Sequence, residues 1–185
     1  MKNFIKMLVV TAFSLSAITV FSGCGGDSGA EGGSQAKVEH SSSSGGINYS
    51  GFDAGFEEAT ATERPIIMFF ETSWCTWCKK LKSTTLADPM IINKINDLFV
   101  AVVVDGEGSK KVTYMGDELT ETEFTKKVQV RGYPTMLFFN GEGGVILGQP
   151  GYLDSKQMDV LLNYVGEGVY KTGVKFQDYM EEQLS

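Results

Sequence analysis

Apolar positions in this chain fall into two kinds of pattern. The segments "RPIIMFFE" (64–71), "LFVAVVVD" (98–105) and "TMLFFN" (135–140) are continuous apolar runs. Runs of this length without polar alternation predict strands covered on both faces. "VILGQP" (145–150) follows the turn "GEGG" and predicts a hairpin partner for the third run. Between the runs lie stretches of helical period. In "FDAGFEEATA" (52–61), Phe52 and Phe56 stand at i and i+4. "CKKLKSTTL" and "PMIINKIND" (78–97) predict a helix interrupted or kinked at Pro89. "ELTETEFTKKVQV" (118–130) predicts another, with Thr120 as N-cap and Glu123 three residues later. "LDSKQMDVLLNYV" (153–165) places Asp154 and Gln157 at capping-box spacing, and "KFQDYMEEQL" (175–184) predicts a terminal helix. Strands alternating with helices and closing on a hairpin and a helix predict a single α/β domain with a mixed sheet.

The first 46 residues do not belong to that pattern. Lys2 and Lys6 precede "MLVVTAFSLSAITVF", an uncharged apolar run of signal-peptide length. It ends in "FSGCGG", with Ser22 and Gly23 before Cys24. This resembles a bacterial lipoprotein signal, although Phe21 stands where that signal usually has Leu. The resemblance implies a signal peptide over 1–23, with lipid on the Cys24 thiol. An ordinary secretory signal with a spare cysteine is the alternative, and both place the domain outside the cytoplasm. Residues 24–46, rich in Gly and Ser, predict a flexible tether, which at this length spans roughly 25 Å. The domain is then 47–185, long enough for a proper core.

The formal net charge is −7, and loss of Lys2 and Lys6 with the signal takes it to −9. An acidic surface argues against nucleic acid and against peripheral binding to anionic lipid. His40, the only histidine, falls in the tether, so histidine catalysis and a Cys/His zinc site are disfavoured. No glycine cluster has the strand–helix setting of a phosphate loop or a dinucleotide fingerprint, so neither cofactor nor metal is expected.

The chemistry lies in "MFFETSWCTWCKKLK" (68–82), where Cys75 and Cys78 follow a strand and open a helix. At a helix start, unpaired backbone N–H groups favour negative charge, which lowers a thiol pKa, and the thiolate is the reactive species. Cys78 lies one turn on, within disulfide reach of Cys75. A structural disulfide is the bland alternative, but a bridge closing so short a loop adds little stability. Half a zinc site is the other, and no second ligand pair is present. Lys79, Lys80 and Lys82 either support the thiolate or form a solvated helix face.

"SWCTWCKKLK", the strand before it, and "VRGYPTMLFFN" about 55 residues later resemble the thioredoxins, and the resemblance covers essentially everything from Ile47 onwards. It implies a thioredoxin fold: a mixed β-sheet flanked by helices, with Pro134 after Tyr133 in a cis peptide bond against the disulfide. Read alone, the proline is equally a turn residue. "MFFETSWC", the polar insert "DGEGSKKVTYMGDELTETEFTKK" before the helix that leads to Pro134, and the long helical tail narrow the likeness. Together they resemble the periplasmic SoxW-type thioredoxin-like lipoproteins, and also the carboxy-terminal thiol domains of disulfide-bond reductases. One departure is that Phe69 occupies the place of the buried Asp that helps deprotonate the second cysteine of cytoplasmic thioredoxins. Glu71 is the nearest carboxylate, either a desolvated base for Cys78 or a solvated strand-end residue.

The resemblance implies an extracytoplasmic disulfide reductase in which Cys75 attacks a protein disulfide and Cys78 resolves the mixed disulfide. Trp74, Thr76, Trp77, Tyr133, Pro134 and the backbone of Thr135 would contact the substrate chain. The two tryptophans also have an ordinary role in packing. Electrons would come from a membrane thiol donor. A thiol oxidase or isomerase on the same fold, or a non-enzymatic binding lipoprotein with a structural disulfide, are the alternatives.

Overall fold

In the computed structural model, the described residues are 45–185. The expected signal peptide, Cys24, His40 and most of the tether lie outside them. The strands are β1 (Tyr49–Ser50), β2 (Ile66–Glu71), β3 (Val100–Asp105), β4 (Lys111–Tyr114), β5 (Asp117–Thr120), β6 (Thr135–Phe139) and β7 (Val145–Pro150). The helices are α1 (Phe52–Thr62), α2 (Thr76–Ser83), α3 (Pro89–Leu98), α4 (Glu121–Lys127), α5 (Ser155–Gly166) and α6 (Phe176–Leu184). Five strands form a mixed sheet in the order β1-β3-β2-β6-β7. β1, β3 and β2 run parallel, while β6 is antiparallel to both β2 and β7.

Alternation along β2 divides the core. Ile67 and Phe69 pack with Leu81, Ile91, Ile95 and Leu161, from α2, α3 and α5. Ile66, Met68 and Phe70 pack on the other face with Phe52 and Phe124, from α1 and α4. Burial on both faces explains why β2 reads as an unbroken apolar run. At about 1.5–3 kcal/mol per fully buried large apolar side chain, these two clusters are the main source of stability. This three-layer mixed α/β arrangement is the thioredoxin fold.

Several features differ from the sequence expectation. The helix expected over 78–97 is two helices separated by a 3-10 turn, Thr85–Ala87. Of the two outcomes expected at Pro89, interruption and kink, the structure shows the interruption: Pro89 opens α3, and the Asp88 carboxylate accepts the Met90 N–H at 2.9 Å. Proline is favoured at a first helical position because its missing N–H has no partner there. The helix expected from 118 begins at Glu121, because Glu118 and Leu119 pair with Thr113 and Val112 in the β4–β5 hairpin. Thr120 caps α4 in a full capping box with Glu123. Arg64, expected at the start of β2, precedes it and donates to the carbonyls of Asn96 and Phe99 at the end of α3. No helix among the described residues is long and apolar enough to cross a membrane.

Candidate active site

β2 delivers the chain to the C-terminal edge of the sheet, and α2 starts five residues later. Cys75 is the N-cap of α2, with extended φ and ψ of −68° and 103°. Its Sγ takes the position of a capping acceptor and receives the Cys78 N–H at 3.0 Å. An N-cap acceptor satisfies one of the four orphan N–H groups of a helix start, and a negative charge there is favoured further by the helix dipole. Cys75 and Cys78 form a disulfide with Cα atoms 5.3 Å apart. Both residues are only 3% exposed. Thr76 is the exposed first residue of α2.

The flanking tryptophans are the opposite, with Trp74 62% and Trp77 56% exposed. Each has one aromatic partner from a distant segment. Trp74 meets Tyr133 edge-on at 6.1 Å, and its Nε1–H donates to Glu107 Oε2 at 3.0 Å. Trp77 lies 5.7 Å from Tyr152. The Lys80 ammonium sits 4.8 Å from the centroids of both these rings, and the Tyr152 hydroxyl bonds Thr84 at 3.1 Å. That hydrogen bond, helped by Thr85 and Lys80, holds the Tyr152 phenol below its usual range.

The Tyr133–Pro134 peptide is cis, and Pro134 is buried. The Trp74–Tyr133 contact places this loop beside the CxxC turn. Tyr133 packs so closely over Gly106 that a Cβ there would stand 2.0 Å from its hydroxyl oxygen. Burial first, then the charges of Glu107 and Asp105, push the Tyr133 phenol up. Thr135 already lies in the sheet between Phe70 and Pro150, and its hydroxyl donates to the Gly132 carbonyl at 2.8 Å. The Pro134 carbonyl accepts the Gly151 N–H. Among the described residues, neither the N–H nor the C=O of Tyr133 is bonded to another backbone group. The backbone open to an extended ligand is therefore that of Tyr133. It stands two residues before Thr135, which sequence suggested and which already has strand partners on both sides.

Glu71 is half-buried, and its Oε1 pairs with Lys82 Nζ at 2.5 Å. Lys82 stands four residues after Cys78, on the same side of α2. Glu71 also bears on Tyr49, whose phenol is pushed up to about 12, first by burial and then by the Glu71 charge. The ring edge of Tyr49 still leaves that residue 45% exposed. Thr72 is buried, its carbonyl accepts the Cys75 N–H at 3.2 Å, and its Oγ1 has no hydrogen-bond partner among the described residues. Sequence reasoning named Cys75, Cys78, Trp74, Thr76, Trp77, Tyr133 and Pro134, and these do converge on one edge of the sheet. It did not find Glu107 or Tyr152 as partners of the tryptophans, nor Lys82 as partner of Glu71. Among the described residues, no three His, Cys, Asp or Glu side chains are grouped to hold a metal ion.

The comparisons with known proteins agree with this geometry. Residues 52–166 match the thioredoxin-like domain family. The thiol:disulfide interchange protein DsbD of Photorhabdus laumondii is 29% identical over 84 residues, 44% of this chain and 13% of that protein. The chain therefore aligns with only a small part of such relatives. A thioredoxin-fold protein from Helicobacter pylori superposes with a TM-score of 0.55 at 23% identity, covering 66% of this chain and 81% of that one. A thioredoxin from Thermus thermophilus does so with a TM-score of 0.51 at 19% identity, covering 64% and 88%. At such identities the superpositions establish the fold alone. The match of the family profile to most of the folded region, with a CxxC disulfide at a helix start and a cis-proline beside it, makes this chain a member of the thioredoxin-like family.

Proposed function

We propose that this protein is an extracytoplasmic thiol–disulfide oxidoreductase that reduces disulfides in protein substrates. The observation that carries the proposal is Cys75 at the N-cap of α2, its sulfur already accepting the Cys78 N–H. In the reduced protein, the Cys75 thiolate attacks one sulfur of a substrate disulfide, forms a mixed disulfide and expels the other sulfur as a thiolate, which takes a proton. Cys78 then loses its proton and attacks the Cys75 sulfur. The 75–78 disulfide forms and the substrate leaves as a dithiol. The two electrons come from the Cys75–Cys78 dithiol, and a membrane thiol donor restores it. The likeness to the interchange protein DsbD supports this class of exchange, and the leader-like N-terminus supports the location.

The deciding experiment is a redox titration of the Cys75–Cys78 couple against glutathione. A reductase predicts a potential towards the roughly −270 mV of thioredoxin, and a value near the roughly −120 mV of a strong oxidant would turn the reading to thiol oxidation. The 3% exposure of both cysteines favours one rival, an inert structural disulfide in a binding lipoprotein. That rival stands if dithiothreitol fails to reduce the bridge in the folded protein.

Glu71 is proposed to exchange a proton with Cys78, through its position beside Lys82 on the Cys78 side of α2. Glu71→Gln keeps the shape and removes the carboxylate. Resolution of the mixed disulfide should slow more than the initial attack, most strongly at the acid end of roughly pH 5–8, where hydroxide is scarce. Stopped-flow rates for the two steps test this. Equal rates in the two proteins would leave Glu71 as a partner for Lys82 only, and faster resolution would show that an unpaired Lys82 cation favours the Cys78 thiolate.

Lipid on Cys24 is proposed as the membrane anchor, from "FSGC" at the end of an apolar leader. Cys24→Ser should leave a soluble or uncleaved chain without lipid. Intact-mass measurement of the wild-type mature protein is the check, and an unmodified Cys24 there would remove the anchor.

A further inference from the structure

The exposed apolar surface around the disulfide is not one patch. It is two aromatic pairs, one on each side of the CxxC turn, and they carry opposite charge. Trp74 and Tyr133 are tied to Glu107, whose other carboxylate oxygen, Oε1, has no partner among the described residues. Trp77 and Tyr152 are tied to Lys80, which makes no ion pair among the described residues and sits over both rings, while the more weakly acting Asp154 carboxylate also bears on Tyr152. Two tryptophans more than half exposed are costly to leave in water unless something covers them. The Tyr133 backbone, just before β6 and so between β2 and β7, has no backbone partner among the described residues and can bond a strand. Burial first, and then the charges of Glu107 and Asp105, push the Tyr133 phenol up, in keeping with acidic groups on this flank.

From this polarity we infer that the partner is an extended polypeptide segment that presents its cysteine between apolar neighbours and carries unlike charges on the two sides of it. Its basic side lies toward Glu107 and its acidic side toward Lys80. This inference rests on the disulfide-reductase reading and adds to it the direction in which the substrate chain runs. Backbone bonds to Tyr133 hold the strand. The aromatic faces cover its apolar residues, and the two rim charges reject the reversed orientation, since rim charges act chiefly on orientation and association rate.

The test uses two capped peptides of identical composition, each with one cysteine linked to 2-mercaptoethanol as a neutral mixed disulfide. One carries Lys before and Glu after the cysteine, and the other the reverse. Cys75 attacks the peptide sulfur and 2-mercaptoethanol leaves. Cys78 then releases the peptide thiol, with dithiothreitol returning the two electrons. At low salt, one charge order should react about fivefold faster in kcat/KM, the effect of one exposed ion pair of about 1 kcal/mol. The ratio should fall towards one at about 1 M salt, where the screening length is about 3 Å. In the double variant Glu107→Lys, Lys80→Glu the preferred order should invert. Equal rates for the two peptides in the wild type, or a preference that survives both high salt and the charge swap, would overturn the inference. Bis(2-hydroxyethyl) disulfide separates the two levels. A wild type that reduces it but ignores charge order loses only the inferred substrate direction, while a wild type that cannot reduce it at all loses the reductase reading.

Discussion

Cys75→Ser is expected to abolish reduction of protein disulfides, insulin being a convenient substrate, while leaving the fold in place. The loss follows from chemistry, because a serine hydroxyl does not ionise near neutral pH and cannot displace a thiolate from a disulfide. Retention of the fold follows from position. Cys75 is an N-cap whose side chain accepts the Cys78 N–H, and serine is among the best residues for that task. The lost bridge closes a very short loop, so its removal costs little chain entropy. Cys78→Ser separates the two steps of the same reaction: attack proceeds and resolution does not. Mixed disulfides between Cys75 and substrate should then accumulate, visible as a mass increase that dithiothreitol reverses. If alkylation of the reduced protein across pH shows Cys78 reacting first, the two roles are exchanged.

The parts of this fold that were legible in sequence are those decided locally. β2, β3 and β6 announce themselves because both faces of the sheet are covered and every residue in them is apolar or nearly so. The N-cap of α4 was legible because Thr120 and Glu123 satisfy one another over three residues. The β4–β5 hairpin was not, because only Val112 and Tyr114 are buried in the core, with Leu119 half-buried against it, while the lysine and most acidic neighbours face water. Two buried positions among many charges are too weak a period to outvote the helical pattern that follows. β1 was missed for a similar reason, being only Tyr49 and Ser50 held against β3.

The reacting pair of the site was legible because a CxxC at a strand–helix junction carries its own electrostatic logic. What surrounds it was not. Trp77 meets a tyrosine from beyond β7, Trp74 meets a glutamate from the loop after β3, and Glu71 is joined to Lys82 across the CxxC turn. No local period encodes such pairs, because the sheet topology brings them together. Glu71 itself shows the limit. Sequence placed it at the end of β2 near the second cysteine, but its partner decides whether it acts as a base or as a counter-charge.

Phe124→Ala is expected to cost about 3–5 kcal/mol of stability, the usual range for removing a buried Phe side chain. Phe124 has no exposed surface. It meets Phe52 edge-on at 4.7 Å, Tyr114 at 4.9 Å and Phe70 in a stacked arrangement at 5.8 Å. It is thus the side chain of α4 that joins the insert hairpin, α1 and the central strand. Relaxation around the cavity is limited, because its neighbours are themselves rings fixed in the sheet and in α1. Against a domain stability of about 5–15 kcal/mol, such a loss is large. It should appear as a lower urea midpoint at unchanged slope. A loss below about 1 kcal/mol would mean that the aromatic cluster closes over the gap and that α4 is held by its cap and its neighbours instead. Phe124 belongs to the layer opposite α2, whose Leu81 packs in the other cluster. Disulfide reduction per folded molecule should therefore survive at low temperature in Phe124→Ala. In Cys75→Ser, the fold should survive and the reduction should not.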